Sequence, residues 1–124
     1  MRSLSRSDVT SIIADMSDGL QETLSRDNPI PWAFYQFPTN ELATTPFLIY
    51  FYDGNDDFIA DNKNYSHIDN LVIELYISNI DFNCERVIEG ILEDNHIVYT
   101  KAFSYIEDEE MYLYRYESEI LITD

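Results

Sequence analysis

The run Asn70-Leu71-Val72-Ile73-Glu74-Leu75-Tyr76-Ile77-Ser78 constrains the fold of this chain more than any other stretch. In an extended backbone Leu71, Ile73, Leu75 and Ile77 fall on one face, and Val72, Glu74, Tyr76 and Ser78 fall on the other. One side is wholly aliphatic and has to be covered, which makes this a central strand. The next segment supplies a cover. Cys84, Val87, Ile88, Ile91 and Leu92 recur at the spacing of an apolar helix stripe, so a helix is expected to lie across the sheet.

The chain has 124 residues, the size of one domain, and roughly two-thirds of its unfolded surface would be buried on folding. A single domain over 1–124 is expected, with residues 1–6 as a flexible N-terminus. Lys and Arg number 7 against 24 Asp and Glu, a net charge of −17. That balance opposes non-specific binding to phosphate backbones and argues against direct nucleic-acid recognition, because there is no pool of Lys or Arg to displace counterions. Ten Tyr and seven Phe argue for a packed chain in spite of the charge. Cys84, the single cysteine, cannot form an internal disulfide, and no apolar run approaches the ~18 residues of a membrane span. With no signal-peptide core at the N-terminus, a reducing cytoplasm without membrane contact is the expected setting.

Val9, Ile12, Ile13, Met16, Leu20 and Leu24 trace an amphipathic helix over about 8–25, with Ser7 as N-cap and Asp8 in the first turn. Gly19 weakens such a helix by roughly 1 kcal/mol relative to Ala. Asp27-Asn28-Pro29 stops it. Trp32–Phe37 and Phe47–Tyr52 read as two apolar strands bounded by Pro31, Pro38 and Pro46, with Thr39–Thr45 as a hairpin loop between them. Their nearly continuous apolar character implies that both faces are covered, by helices or by a neighbouring subunit.

Asp53–Asp69 interrupts this pattern with a long stretch rich in Asp and Asn, where a hairpin turn normally takes about two to five residues. Phe58, Ile59 and Tyr65 are too apolar for a solvated tether. The stretch therefore reads as an interaction loop that docks on a partner or on another copy; the alternative is a long hairpin loop folded back on its own core. Asp81 caps the second helix, Asn95 suits the left-handed position after it, and Glu85, Glu89 and Glu93 line its polar face, solvated or against a basic partner. Ile97–Tyr105 and Met111–Ile120 alternate as strands, joined at the acidic turn Glu107-Asp108-Glu109-Glu110. The expected fold is α+β: a single mixed sheet of about five strands with two helices, in the order α-β-β-β-α-β-β, with a parallel strand-helix-strand crossover.

Catalytic chemistry finds no support in these residues. Asp53, Asn55 and Asp57 open like a calcium loop, but Phe58 stands where the sharp turn needs Gly and Asn64 where the bidentate Glu belongs. No Gly-x-Ser-x-Gly elbow is present, and Cys84 sits in an apolar stripe as a buried structural thiol. His67 and His96 have no His or Cys at ligand spacing, and three glycines build no phosphate cradle. The chain reads as a non-enzyme without cofactor, metal or catalytic residues.

The aromatic strand Phe34–Phe37, the Pro46–Tyr50 run, the stretch Asn55–Tyr65, Ile73–Tyr76, the helix beginning near Glu85, Tyr99–Lys101, and Tyr105–Glu109 leading to Met111-Tyr112 follow a recognisable order. Over about residues 30–120 the chain resembles the small tail-completion or tail-terminator proteins, also called minor tail or head-tail joining proteins, of long-tailed bacteriophages and prophages of Gram-positive bacteria. The resemblance implies a structural protein at the virion neck, made in the host cytoplasm, that caps the tail tube as a hexameric ring. Its implied partners are further copies of itself, the major tail protein and the head connector or stopper, with DNA passing through unbound and no catalytic residues. Phe58, Ile59, Asp61 and Tyr65, with Glu107, Asp108, Glu109 and Glu110, are the expected interaction residues. A ring of six such chains would carry about −100, an acidic lumen along which DNA slides without sticking. The competing readings are an acidic DNA mimic that inhibits a host DNA-binding protein, a head-completion stopper and an acidic adaptor.

Overall fold

The computed structural model describes residues 1–37, 44–60 and 63–124, with side chains throughout except at 55–60 and 63–67. Strand β4 (Lys63–Ile77) is the middle of the sheet, antiparallel to β3 (Phe47–Ala60) on one side and to β6 (Met111–Ile122) on the other. Beyond β3 lies β2 (Trp32–Phe34). Along the outer side of β6 run β5 (Thr100–Ile106) and then β1 (Arg2–Leu4). Both short end strands are parallel to their neighbours, so the sheet is mixed. Helices α1 (Arg6–Thr23) and α2 (Phe82–Asp94) complete an α+β fold of two helices and six strands among the described residues.

The aliphatic row of β4 is buried as its alternation demands. Leu71, Ile73, Leu75 and Ile77 form one cluster with Val9, Ile12, Ile13, Met16 and Leu20 of α1 and with Cys84, Ile88 and Leu92 of α2. Each such side chain contributes about 2 kcal/mol by leaving water. Tyr114, Tyr116, Ile120 and Ile122 extend the cluster along β6. Ser17 is buried in α1 and donates from Oγ to the Ile30 carbonyl at 2.7 Å, fixing the helix to the entry of β2. Burial and nearby acidic groups push the Cys84 thiol up to about 11, which suits a packing role.

Several expectations are corrected. The first residues are not a flexible tail: Arg2, Ser3 and Leu4 pair with Ile120, Leu121 and Ile122, and buried Leu4 anchors the pairing. Helix α1 starts earlier than Asp8 because Ser5, not Ser7, is its N-cap. Ser5 Oγ accepts from the Asp8 N–H and the Asp8 carboxylate accepts from the Ser5 N–H, each at 3.0 Å, a capping box. The Ser5 backbone donor holds the Asp8 carboxyl below its ordinary value. At the end of α2, Asn95 keeps a negative φ and His96 takes the left-handed conformation, φ 58°.

Strands β2 and β3 do not form a hairpin. They are parallel, so Thr39–Thr45 belongs to a crossover, and of that stretch residues 39–43 lie outside the described residues. Strand β2 ends at Phe34, and Tyr35 follows with φ 71°. The crossover β4-α2-β5 does connect parallel strands, since both are antiparallel to the β6 strand between them. The two helices pack with the Leu71–Ile77 row, so the opposite face of the sheet has no helical cover among the described residues.

The largest correction concerns 53–69. Among the described residues this stretch is no loop: β3 and β4 stay paired from Asn55↔Asp69 to Ala60↔Lys63, and past the His67↔Ile122 pair with β6 they continue as a two-stranded antiparallel ribbon. Pairing between two long strands that are anchored in the sheet overrides the low strand preference of Asp and Asn. Register irregularities after Tyr52 and Phe58, with Gly54 at φ 86°, mark bulges of the kind that bend such a ribbon.

Candidate functional site

The sequence-predicted residues fall into two groups at opposite ends of the sheet. Phe58 and Ile59 lie on the ribbon strand of β3, opposite Ser66 and Asn64, and Tyr65 lies on β4. Their backbones are strands; their side chains, and Asp61 entirely, lie outside the described residues. Glu107, Asp108, Glu109 and Glu110 form the exposed turn between β5 and β6, with Glu110 at φ 50°. The turn meets the sheet at the Met111 end of β6, whereas the ribbon leaves it at the Ile122 end, roughly 36 Å away along the strand. The structure therefore does not bring the two groups together within the chain.

Between them lie two charge centres that the sequence reading missed. Strand β6 presents Arg115 on the open face, where Nη1 donates to Glu74 Oε2 at 3.2 Å and Nε to Glu117 Oε2 at 3.3 Å, with Asp53 at 3.6 Å from Nη2. Glu74 is only 6% exposed, and its other oxygen accepts from the Tyr76 hydroxyl at 2.9 Å. Burial and that carboxylate raise the Tyr76 hydroxyl far above its ordinary value. Arg115, the one basic residue of β6, and Glu74, the one charged residue of the run Asn70–Ser78, are the sequence signals for this centre.

Aromatic rings cover much of the rest of the open face. Phe47 stacks on Tyr76 with centroids 4.8 Å apart, Phe37 meets Phe47 edge-on at 5.5 Å, and Arg115 lies over Phe51 at 5.7 Å. Val72 is fully buried beneath these side chains. The face thus shields itself in its middle, with carboxylates toward the ribbon end.

Lys101 of β5 is the second centre, on the helix side. It forms ion pairs with Glu85 and Glu89, the latter at 2.9 Å, and stands 5.7 Å from the Tyr114 ring centroid. Glu89 also accepts from the Tyr116 hydroxyl at 2.9 Å. Burial opposes the charged form of Glu89, but the donors Lys101 and Tyr116 outweigh it and hold the carboxyl below its ordinary value. Burial likewise opposes the Lys101 ammonium, and the two carboxylates more than reverse that, raising it above its ordinary value. The acidic face of α2 therefore meets a base within its own chain.

Beyond Lys101, Phe103 and Tyr105 are each 48% exposed. They lean on Tyr112 and Tyr114, with centroid distances of 4.9–5.6 Å. The chain matches no protein-family model and no curated protein. One open cleft of about 790 Å³ lies where β5 gives way to β1 along β6, lined by Arg2, Asn70, His96, Tyr99, Glu117 and Glu119 among others. Its polar groups are partly engaged already: Asn70 donates to Glu117 at 2.7 Å and Arg2 to the Asn95 carbonyl at 3.0 Å. Both charge centres are thus engaged in ion pairs within the chain.

Proposed function

We propose that this chain is a non-catalytic structural subunit that closes the tail tube of a long-tailed bacteriophage and joins it to the head connector, assembling as a ring of six. The observation that carries the reading is the β3–β4 ribbon, because it continues two anchored sheet strands past the partners that flank them. A two-stranded ribbon in water is marginal on its own. A neighbouring subunit or the tube end supplies the missing cover. The resemblance over residues 30–120 names the assembly, and the net charge of −17 suits a channel that passes DNA without holding it.

The DNA-mimic alternative needs free carboxylates on one rigid face. Glu85 and Glu89 are instead bound to Lys101, and Glu74 is buried against Arg115. No helix among the described residues is long and apolar enough to cross a membrane.

Deleting the coding sequence from the phage tests the proposal. Filled heads and unjoined tails of uncontrolled length are expected, and normal virions would refute it. The purified protein should give no gel shift with duplex DNA at physiological salt, whereas binding that weakens steeply with added salt would contradict the acidic-channel account.

A further inference from the structure

Apart from the outer edges of the three-residue end strands β1 and β2, two longer strand edges stand out without a partner among the described residues. One is the outer edge of β5, which pairs with β6 on its other side only. The second is the outer edge of β3 beyond Tyr50, because β2 covers only Leu48–Tyr50, and the bond from the Tyr35 N–H to the Tyr50 carbonyl marks the end of that cover. Proteins usually guard such edges with Pro, a bulge, or a free Lys. Strand β5 has none of these. Its pairing with β6 runs without a shift from Thr100↔Glu117 to Ile106↔Met111, and its one Lys is held by Glu85 and Glu89.

We propose that the ribbon strand of β3 in one copy adds to the free edge of β5 in a second copy, so that the sheet continues from subunit to subunit. This rests on the assembly reading above and names the strand that receives the ribbon. Charge selects the pairing. The ribbon strand brings Asp53, Asp56 and Asp57, and β5, Thr-Lys-Ala-Phe-Ser-Tyr-Ile, is free of carboxylates, unlike the other long strands β3, β4 and β6. Like charges directly opposite each other across a strand pair are destabilising, so an acidic strand is tolerated best there. Topology sets the direction. Strands β3 and β5 run oppositely within one sheet, and a second copy added in the same orientation therefore meets β5 with an antiparallel β3. A symmetric β5–β5 contact would also avoid carboxylates but would leave the ribbon edge bare. The head-to-tail contact covers both edges, and it closes into a ring when its rotation permits.

Two variants test the pairing. The first replaces Asp57–His67 with Asn-Gly, a two-residue turn that closes the ribbon across the Asp56↔Ile68 pair. The second, Ala102→Glu with Ser104→Glu, sets carboxylates on exposed positions of β5 while keeping the aromatic row. In sedimentation at about 0.3 M salt, where long-range repulsion is screened, the unmodified chain should form species larger than a dimer. Each variant alone should remain a monomer. Their equal mixture should form a dimer and stop, since one supplies only the receiving edge and the other only the ribbon.

A mixture that stays monomeric, or a single variant that associates like the parent, would overturn the pairing but leave a ring built through other contacts standing. A parent chain that never associates overturns it as well, while the tail-end reading is judged separately by the deletion phenotype. If the trimmed chain does not melt cooperatively, hydrogen exchange of the parent decides. Amides of 53–60 and 100–106 should gain protection together on association, and protection of neither, or of one alone, refutes the contact.

Discussion

Gly19 of α1 faces Val87 of α2 so closely that a β-carbon at position 19 would stand 2.7 Å from Val87 Cγ1. The glycine thus marks a helix contact, and its value is the absence of a side chain. On helix preference alone Gly19→Ala would stabilise by about 1 kcal/mol. Val87 is β-branched and stiff in a helix, so it cannot turn away freely. Gly19→Ala should therefore lower stability by about 1 kcal/mol in urea unfolding, and Val87→Ala in the same chain should remove most of that loss. A simple gain from Gly19→Ala would show that the helices can separate without cost.

The Arg115–Glu74 pair gives a second expectation. Arg115→Ala leaves the Glu74 carboxylate, 6% exposed, without its cation. Breaking a fully buried pair costs about 3–5 kcal/mol, and the partial exposure of Arg115 reduces this to about 2 kcal/mol. Replacing both groups, Arg115→Met with Glu74→Leu, should recover most of the loss, as measured by the midpoint of denaturant unfolding.

Lys101→Met should behave differently with pH. In the parent chain the Glu89 carboxyl is held below its ordinary 4.5, so the pair adds stability above that value and loses it as pH falls through the lowered folded pKa. The deficit of Lys101→Met should be largest near neutrality and should shrink below about pH 4. A deficit constant from neutral to acid pH would show that Lys101 acts by packing alone.

At alkaline pH the tyrosines dominate. Burial, with acidic or phenolic neighbours, pushes Tyr52 and Tyr114 up to about 12, and Tyr76 and Tyr116 are raised as well. A raised folded pKa stabilises below the unfolded value of about 10 and loses that contribution as pH climbs toward the folded value. Stability should fall steeply from about pH 10 upward, with tyrosinate absorbance rising cooperatively with unfolding. A gradual rise well before unfolding would show that these hydroxyls are wet.

The central strand, both helix stripes and the β5–β6 hairpin were legible because each depends on a local period: two for Leu71–Ile77, and three to four for Val9–Leu20 and Cys84–Leu92. The ribbon was not. Its Asp and Asn residues carry a loop signature, and what makes it a strand pair is the register handed down from Phe47–Tyr52 and Leu71–Ile77. The parallel partnership of β2 with β3 is equally nonlocal, since three residues of β2 hold no sign of direction. Arg115 and Lys101 were overlooked because their partners are remote in sequence, and only folding brings Glu74, or Glu85 and Glu89, beside them.

Electron cryomicroscopy of virions that carry this chain decides whether it is a ring subunit at the junction of head and tail. Six copies should form a ring between the last tail-tube ring and the head connector, with the β3–β4 ribbon of each reaching its neighbour. Virions of normal form whose neck contains no copy of this chain would contradict it.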